Sequence, residues 1–166
     1  MKKLVSFVSI MLLIVSVACA RDKVTRDVSL LPAGAREMIK KYFPDSEISY
    51  LKIDKKLFRT EGYEVILTGG TELEFDVKGQ WKEIESLQTV PDSIVPESIR
   101  KYIKRYYGPQ GVKKIKHNRK GYELNLTNGM EMEFDNMGNF LRLDDWLMGQ
   151  VDELTSWQGH AVLNPR

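Results

Sequence analysis

The sequence contains one segment twice in diverged form, and this duplication constrains the fold more than any single motif. Gly62–Glu85 and Gly121–Asp144 align without a gap at a spacing of 59 residues, and 11 of the 24 aligned residues are identical. Upstream, Pro32–Phe43 aligns with Pro96–Tyr107 at a spacing of 64. Because a repeated pattern defines the unit of folding, we predict two tandem units.

Each unit has the pattern of one helix followed by short strands. A proline opens each helix, where its missing N–H does no harm, and apolar residues follow at helical spacing. Glycine-containing turns such as 68–70 and 127–129 are typical hairpin signals. The predicted fold is therefore α+β, with a first unit over 31–87 and a second over 95–145. Each unit is a helix plus a four-stranded antiparallel meander, and together they form one curved sheet with helices on one face.

The length of the hairpin turn decides which side chains face the helix. A three-residue turn, with Gly70 or Gly129 in the left-handed conformation, pairs Val65 with Leu73 and Tyr63 with Phe75. A two-residue turn would place these apolar residues opposite glutamates. Burial of large side chains favours the longer turn, which gathers the apolar residues of each unit on one face.

The fourth strand of each unit leaves two alternatives open. With a three-residue entry turn, Trp81 and Phe140 join the core, and Ile84, Leu141 and Leu143 point outward. A two-residue turn does the reverse. In both cases, apolar side chains at matching positions point away from the helix, and exposed apolar rows commonly mark an interaction surface.

Residues 1–20 have the three parts of a signal peptide: two lysines, an apolar stretch and small residues at the cleavage position. We expect export to the periplasm or secretion after cleavage. The alternative is a lipoprotein anchored through Cys19. A disulfide within the chain is excluded, because Cys19 is the single cysteine. Residues 21–30 are predicted to be a linker, and 146–166 a C-terminal extension that is either a short amphipathic helix or an unstructured tail.

The charge balance argues against nucleic acid as a partner. Without residues 1–20, which contain two lysines, 23 basic and 23 acidic residues remain. A neutral exported protein is a poor nonspecific binder of nucleic acid, and we expect no transmembrane segment in the mature chain. A run without acidic residues, which a solvated helix face also explains, contains the candidate basic patch. Its residues are Arg100, Lys101, Lys104, Arg105, Lys113, Lys114 and Lys116.

Residue types that carry catalysis are scarce. The two histidines, His117 and His160, lie outside any recognisable constellation and are predicted to be ordinary surface residues. There is no phosphate-binding loop, nucleophile elbow or zinc-ligand spacing. We therefore expect a protein that is not an enzyme, with no catalytic residues, no metal site and no cofactor.

Clustered carboxylates occur on one strand of each unit. Alternation places Glu72 and Glu74, and likewise Glu131 and Glu133, on one face of a strand, about 7 Å apart. A solvated sheet face explains them, and so does a surface that binds a partner. The candidate partner-binding face comprises Glu72, Glu74, Trp81, Ile84, Glu131, Glu133, Phe140 and Leu143.

The two copies also resemble a known family. Gly62–Trp81 and Gly121–Phe140 both fit the pattern G-Y-E-x-x-L-T-x-G-x-E-x-E-F-D-x-x-G-x-[WF]. This pattern, after a signal peptide and proline-opened helices, is similar to the PepSY-like, β-lactamase-inhibitor-like proteins of Bacteroidetes. The resemblance implies two α+β units whose open sheet face binds another protein. It supplies no catalytic residues.

Three functional hypotheses follow. The first is a non-enzymatic, inhibitor-like periplasmic module that binds an envelope protein through the open face of its antiparallel sheet. The alternative is a small-ligand or cell-envelope sensing module, with its ligand between sheet and helices or at the junction near Leu87–Val95. A hydrolase with an unrecognised site is the third.

Overall fold

The computed structural model describes residues 22–56 and 59–144. These residues form one continuous antiparallel sheet with two α-helices. Strand order in the sheet follows chain order, and each strand runs antiparallel to the next. The helices are α1 (Ala33–Tyr42) and α2 (Glu97–Tyr107). The strands are β1 (Lys23–Thr25), β2 (Ile48–Lys56), β3 (Arg59–Leu67), β4 (Glu72–Asp76), β5 (Trp81–Glu85), β6 (Val112–Asn118), β7 (Gly121–Leu126), β8 (Glu131–Phe134) and β9 (Phe140–Asp144).

Both helices cover the same side of this sheet. Ala35 and Ile39 of α1 are buried, as are Ile99 and Ile103 of α2. The four-residue spacing places each pair on one face of its helix. These residues and the inward side chains of the strands form a single hydrophobic core. The predicted α+β class, with an antiparallel sheet and helices on one face, is confirmed.

The hairpin register is the one that burial predicts. Val65 pairs with Leu73 and Tyr63 with Phe75, and the second unit repeats this with Leu124 opposite Met132. The glycines of both turns have positive φ, 78° at position 70 and 87° at position 129. The predicted three-residue turn, which buries the large side chains, is therefore confirmed.

The fourth strands differ from both alternatives that alternation allows. In β5, Trp81 pairs with Phe75 and Glu83 with Glu74, so a β-bulge at Lys82 puts two residues opposite one. The bulge resets the alternation, and Ile84 also faces the helices, fully buried. Burial of both apolar side chains, worth about 1.5–3 kcal/mol each when complete, outweighs the local loss of ladder pairing.

The second unit has the same bulge. Phe140 pairs with Phe134 and Leu143 with Met132, so both side chains pack against the core. The extra residue is Leu141, which remains 56% exposed. The expectation that Trp81 or Ile84, and Phe140 or Leu143, point away from the helices is therefore wrong.

Segments predicted as connections also take part in the fold. In the expected linker 21–30, β1 pairs with β2 and adds an edge strand to the sheet. At the junction between the units, Val90, Ile94 and Val95 are buried in the core. The N–H of Val90 donates a hydrogen bond to the carbonyl of Val112 over 2.7 Å. The predicted signal peptide, Cys19 and the extension 146–166 lie outside the described residues.

Candidate partner-binding face

The side of the sheet opposite the helices, which we call the open face, is defined by alternating side chains, and β-bulges reset this alternation at several places. Leu51 and Ile53 of β2 are buried, so Lys52 between them points to the open face. The strand register then places two rows of side chains across this face, about 7 Å apart. The first row is Val24, Lys52, Glu64, Glu74, Glu83, Lys116, Glu123, Glu133 and Arg142, and the second is Tyr50, Ile66, Glu72, Glu85, Lys114, Asn125 and Glu131.

These rows carry an excess of negative charge. Eight of the sixteen residues are glutamates and four are basic. Charged side chains on a β-strand face are well solvated, but an uncompensated excess favours partners of opposite charge. The open face is thus acidic as a whole, and its glutamates differ in how they are paired.

Ion pairs join the two units where β5 meets β6. The Nζ of Lys114 contacts a carboxylate oxygen of Glu83 and, at 2.8 Å, one of Glu85. Lys116 contacts the other oxygen of Glu83 at 3.0 Å. Burial alone would raise the pKa of Glu83, but hydrogen bonds from both lysines outweigh it and hold the pKa below its usual range. The same contacts raise the pKa of Lys114 against the effect of its own burial.

Within the first unit, Glu72 and Glu74 of β4 lack such partners. The Nζ of Lys52 forms ion pairs with a carboxylate oxygen of Glu64 at 3.0 Å and with one of Asp54 at 3.1 Å. Of the residues that the structure describes, none forms an ion pair with Glu72 or Glu74. Partial burial raises the pKa of Glu72, and the surrounding glutamates raise it further. This corner of the open face therefore holds negative charge that the described residues do not neutralise.

The equivalent glutamates of the second unit are satisfied. The amide of Asn125 donates to Glu131 over 2.6 Å, and the guanidinium of Arg142 pairs with Glu133. The hydrogen bond from Arg142 lowers the pKa of Glu133. Asn118 donates to Glu123 over 2.9 Å. The two units thus present the same carboxylates in different electrostatic surroundings.

The structure brings together only half of the predicted face. Glu72, Glu74, Glu131 and Glu133 all lie on the open face. The four apolar members of the prediction, Trp81, Ile84, Phe140 and Leu143, lie on the helix side. These four residues therefore do not belong to the open face, and the role of the glutamates in binding a partner stays a prediction.

The predicted basic patch is divided between two sides of the molecule. Arg100, Lys101, Lys104 and Arg105 belong to α2, on the helix side. Lys114 and Lys116 lie on the open face, where they pair with glutamates. Lys113 is an exposed residue at the irregularity between β6 and β7. Residues that are contiguous in sequence therefore do not form one surface.

Sequence reasoning missed an apolar cluster on the open face, which we call the apolar corner: Val24, Tyr50 and Ile66. Val24 is 66% exposed and Tyr50 37%. Val24 and Tyr50 line a shallow groove together with Thr25, Arg26, Ser49 and Lys52. Ile66 lies between the buried residues Val65 and Leu67, and this alternation was the available sequence signal. At Tyr50 the alternation is interrupted, because Ser49 is an extra residue in β2.

His117 is not an ordinary surface residue. Its ring stacks on Tyr122 at a centroid distance of 4.4 Å and lies 5.6 Å from the ring of Trp81, on the helix side. Among residues 22–56 and 59–144, no group of three or more His, Cys, Asp or Glu is arranged to hold a metal ion. No helix of this part of the chain is long and apolar enough to cross a membrane.

Comparison with known proteins gives one family and several solved structures. The family model described as putative beta-lactamase-inhibitor-like, PepSY-like matches residues 61–142. No curated protein matches the chain significantly. The chain is similar to a putative periplasmic protein of unknown function from Bacteroides vulgatus, at 50% identity over 75% of this chain and 100% of that chain, with a TM-score of 0.70.

Two further crystal structures have similar folds. A putative periplasmic protein of the DUF2874 family from Bacteroides vulgatus is 37% identical, with a TM-score of 0.67. A putative calcium-regulated periplasmic protein from Bacteroides thetaiotaomicron is 35% identical, with a TM-score of 0.68. Each match covers 75% of this chain and 97% of the other.

Proposed function

Since this chain belongs to the PepSY-like, putative beta-lactamase-inhibitor-like family, we propose that it is a non-enzymatic periplasmic module that binds an envelope protein through its open face. The observation that carries the proposal is the asymmetry of that face. Glu72 and Glu74 lack ion-pair partners among the described residues, whereas Glu131 and Glu133 have hydrogen-bond donors beside them. Uncompensated charge on a face that the described helices do not cover is available to a partner.

The arrangement of the core supports binding rather than catalysis. Apolar side chains fill the inward side of the sheet, and the polar and charged side chains lie on the outer side. The outer side offers carboxylates, lysines and amides at fixed spacing, which suits recognition of a complementary protein surface. The similar proteins from Bacteroides are periplasmic by description, and we propose the same compartment for this chain.

Affinity capture from a bacterial envelope extract tests the proposal. The Glu72→Lys, Glu74→Lys double variant should lose the captured protein, because two attractive charges become repulsive. The matched control reverses two exposed charges on the opposite side, Lys101→Glu and Lys104→Glu, and should keep it. Equal capture by both variants and by the unmodified protein would refute docking through the open face.

A groove on the helix side supports the alternative of a small ligand. It has a volume of about 540 Å³ and lies beside the junction between the units and α2. Arg100, Lys101 and Lys104 border it, so an anionic compound is the chemistry that fits. A thermal-shift screen of bile acids, peptides and glycans tests this alternative, with Lys104→Ala as the variant that should lose the response. A screen without any stabilising compound would count against it.

A further inference from the structure

The apolar corner is not required by the fold, because the second unit builds the same part of the sheet without it. Ile66 lies between Tyr50 and Glu72 in the register of the first unit. At the corresponding place in the second unit, Asn125 lies between Lys114 and Glu131. The second unit thus has polar residues where the first has two apolar ones.

Those polar residues have clear partners. Asn125 donates to Glu131, and Lys114 contacts Glu83 and Glu85. With Tyr50 and Ile66 in their place, the first unit exposes apolar surface, and no residue within 22–56 and 59–144 donates a hydrogen bond to the carboxylate of Glu72. Exposed apolar surface forgoes the stability that its burial would contribute. A partner that covers the corner would supply this burial.

The corner and the unneutralised carboxylates are direct neighbours. Ile66 pairs with Glu72 across one strand interval, about 4.8 Å, and Tyr50 lies one interval further away. Val24 extends the apolar surface toward the sheet edge, 66% exposed. A ligand that reaches from this edge passes Val24 and Tyr50, with Arg26 and Lys52 beside them in the groove, before it reaches the carboxylates of β4.

We infer that the open face of the first unit binds an extended segment of another protein that carries an apolar or aromatic side chain followed by lysine or arginine. The apolar side chain covers Val24, Tyr50 and Ile66, and the basic side chains lie over Glu72 and Glu74. Same-face side chains of an extended segment are about 7 Å apart, so positions i and i+2 match the two surfaces. This inference rests on the proposed function and names the chemistry of its partner.

Nuclear magnetic resonance titration of the isotope-labelled protein without its predicted signal peptide tests the inference. The probe is a synthetic peptide, Leu-Ser-Lys-Ser-Lys. We expect shift changes at Tyr50, Ile66 and Glu72, and affinity that falls with added salt. Two control peptides, Ser-Ser-Lys-Ser-Lys and Leu-Ser-Glu-Ser-Glu, should each bind about tenfold more weakly, since each lacks one of the two recognised features.

Variants locate the binding. Tyr50→Ser and Glu72→Gln should each weaken the first peptide about fivefold to tenfold. The matched variant Glu131→Gln in the second unit should leave it unchanged. The inference is overturned if the first peptide does not bind, if it binds no more tightly than the controls, or if Tyr50→Ser has no effect. It is also overturned if light scattering shows that a second copy of this chain occupies the corner and that Tyr50→Ser dissociates it.

Failure of the inference and failure of the proposed function are distinguishable. Envelope capture that needs Glu72 and Glu74 but ignores Tyr50→Ser would keep the docking face and reject the apolar contact. Capture that ignores all three positions would reject both.

Discussion

The two units carry identical glutamates on β4 and β8 in unequal surroundings. On β4, Glu74 lies directly opposite Glu83, another acid, and on β8 its counterpart Glu133 lies opposite Arg142. Like charges opposite one another destabilise a sheet, and unlike charges stabilise it. The comparison shows that an identical residue in both copies does not have an identical role, because its role depends on the cross-strand neighbour.

The divergent cross-strand neighbours also explain in which unit the glutamates of the open face are paired. In the second unit, the donors Asn125 and Arg142 satisfy the acids within the unit. In the first unit, the only described lysine among its open-face rows, Lys52, is shared by Glu64 and Asp54. The open face of the first unit is therefore the better candidate for binding a cationic partner. Substitutions in the two units should also differ in their effect on stability and on its pH dependence.

The largest expected difference between the units lies in the fourth strands. Ile84→Ala should lower the free energy of unfolding by about 2–5 kcal/mol, because Ile84 is fully buried behind the bulge. The matched change Leu143→Ala should cost about 1 kcal/mol, since Leu143 is only partly buried. Chemical denaturation measures both. A cost below that of Leu141→Ala, a change at an exposed residue, would contradict the inward position of Ile84.

The bulge also shows what sequence reasoning can and cannot reach. Hairpin register was predictable, because one register buries Val65 and Leu73 together and the other does not. The bulge was not, because period-two alternation cannot place residues three apart, such as Trp81 and Ile84, on one face. The same spacing recurs at Phe140 and Leu143, and this repetition was the available signal.

The candidate site was predictable in its charges and not in its apolar part. Alternation alone placed the glutamates of β4 and β8 on one face. Tyr50 and Ile66 could not be joined to them, because their position depends on pairing between β2 and β3 and on an edge strand, β1, of three residues. So short a strand has too few positions for a pattern, and tertiary pairing decides it.

Contacts between the helices and the sheet turns give the second comparison. A methyl group at Gly79 would lie 2.7 Å from Cβ of Pro32 and 2.9 Å from the backbone nitrogen of Ala35. A methyl group at Gly138 would collide with the hydroxyl of Ser98, which can rotate away, and would lie 3.1 Å from Cβ of Ser98 and 3.3 Å from Cγ1 of Ile99. Gly79→Ala should therefore cost about 2–3 kcal/mol and Gly138→Ala about 1–2 kcal/mol, by thermal or chemical denaturation.

A third glycine, Gly129, has open space around it and separates the cost of backbone strain from the cost of a steric collision. Gly129 has φ of 87° and no heavy atom within 4 Å of an added methyl group, so Gly129→Ala should cost about 1 kcal/mol from backbone conformation alone. If Gly79→Ala costs no more than Gly129→Ala, the close approach of α1 to the β4–β5 turn would be refuted.

In the third comparison, the same Glu→Gln substitution is expected to change the free energy of unfolding in opposite directions in the two units. Glu133→Gln removes the charge that pairs with Arg142 and should destabilise the protein by about 0.5 kcal/mol at pH 7. Glu74→Gln removes a repulsion with Glu83 and should be neutral or slightly stabilising. Since the pKa of Glu133 is lowered in the folded protein, its contribution exists above the unfolded pKa and disappears as the pH falls through the folded pKa. A destabilisation of equal size at both positions would remove the distinction between the units.

The smallest expected effect is the pH dependence of Glu72→Gln. Partial burial and neighbouring glutamates raise the pKa of Glu72 in the folded protein, so the folded state resists ionisation more than the unfolded state does. Ionisation therefore costs stability, and this cost develops as the pH rises from the unfolded pKa and is complete above the raised folded pKa. Glu72→Gln should be slightly more stable than the unmodified protein at pH 7, by about 0.3 kcal/mol for a partly exposed group, and the difference should vanish below the unfolded pKa. Glu131→Gln in the second unit is the control: it keeps an oxygen that can accept from the Asn125 amide, and it should not gain stability at pH 7. Unfolding curves at pH 7 and at a pH below the unfolded pKa test this prediction. If Glu72→Gln is less stable than the unmodified protein at pH 7, Glu72 has a cationic partner in the free protein. The charge of Glu72 would then be neutralised and would not attract another protein.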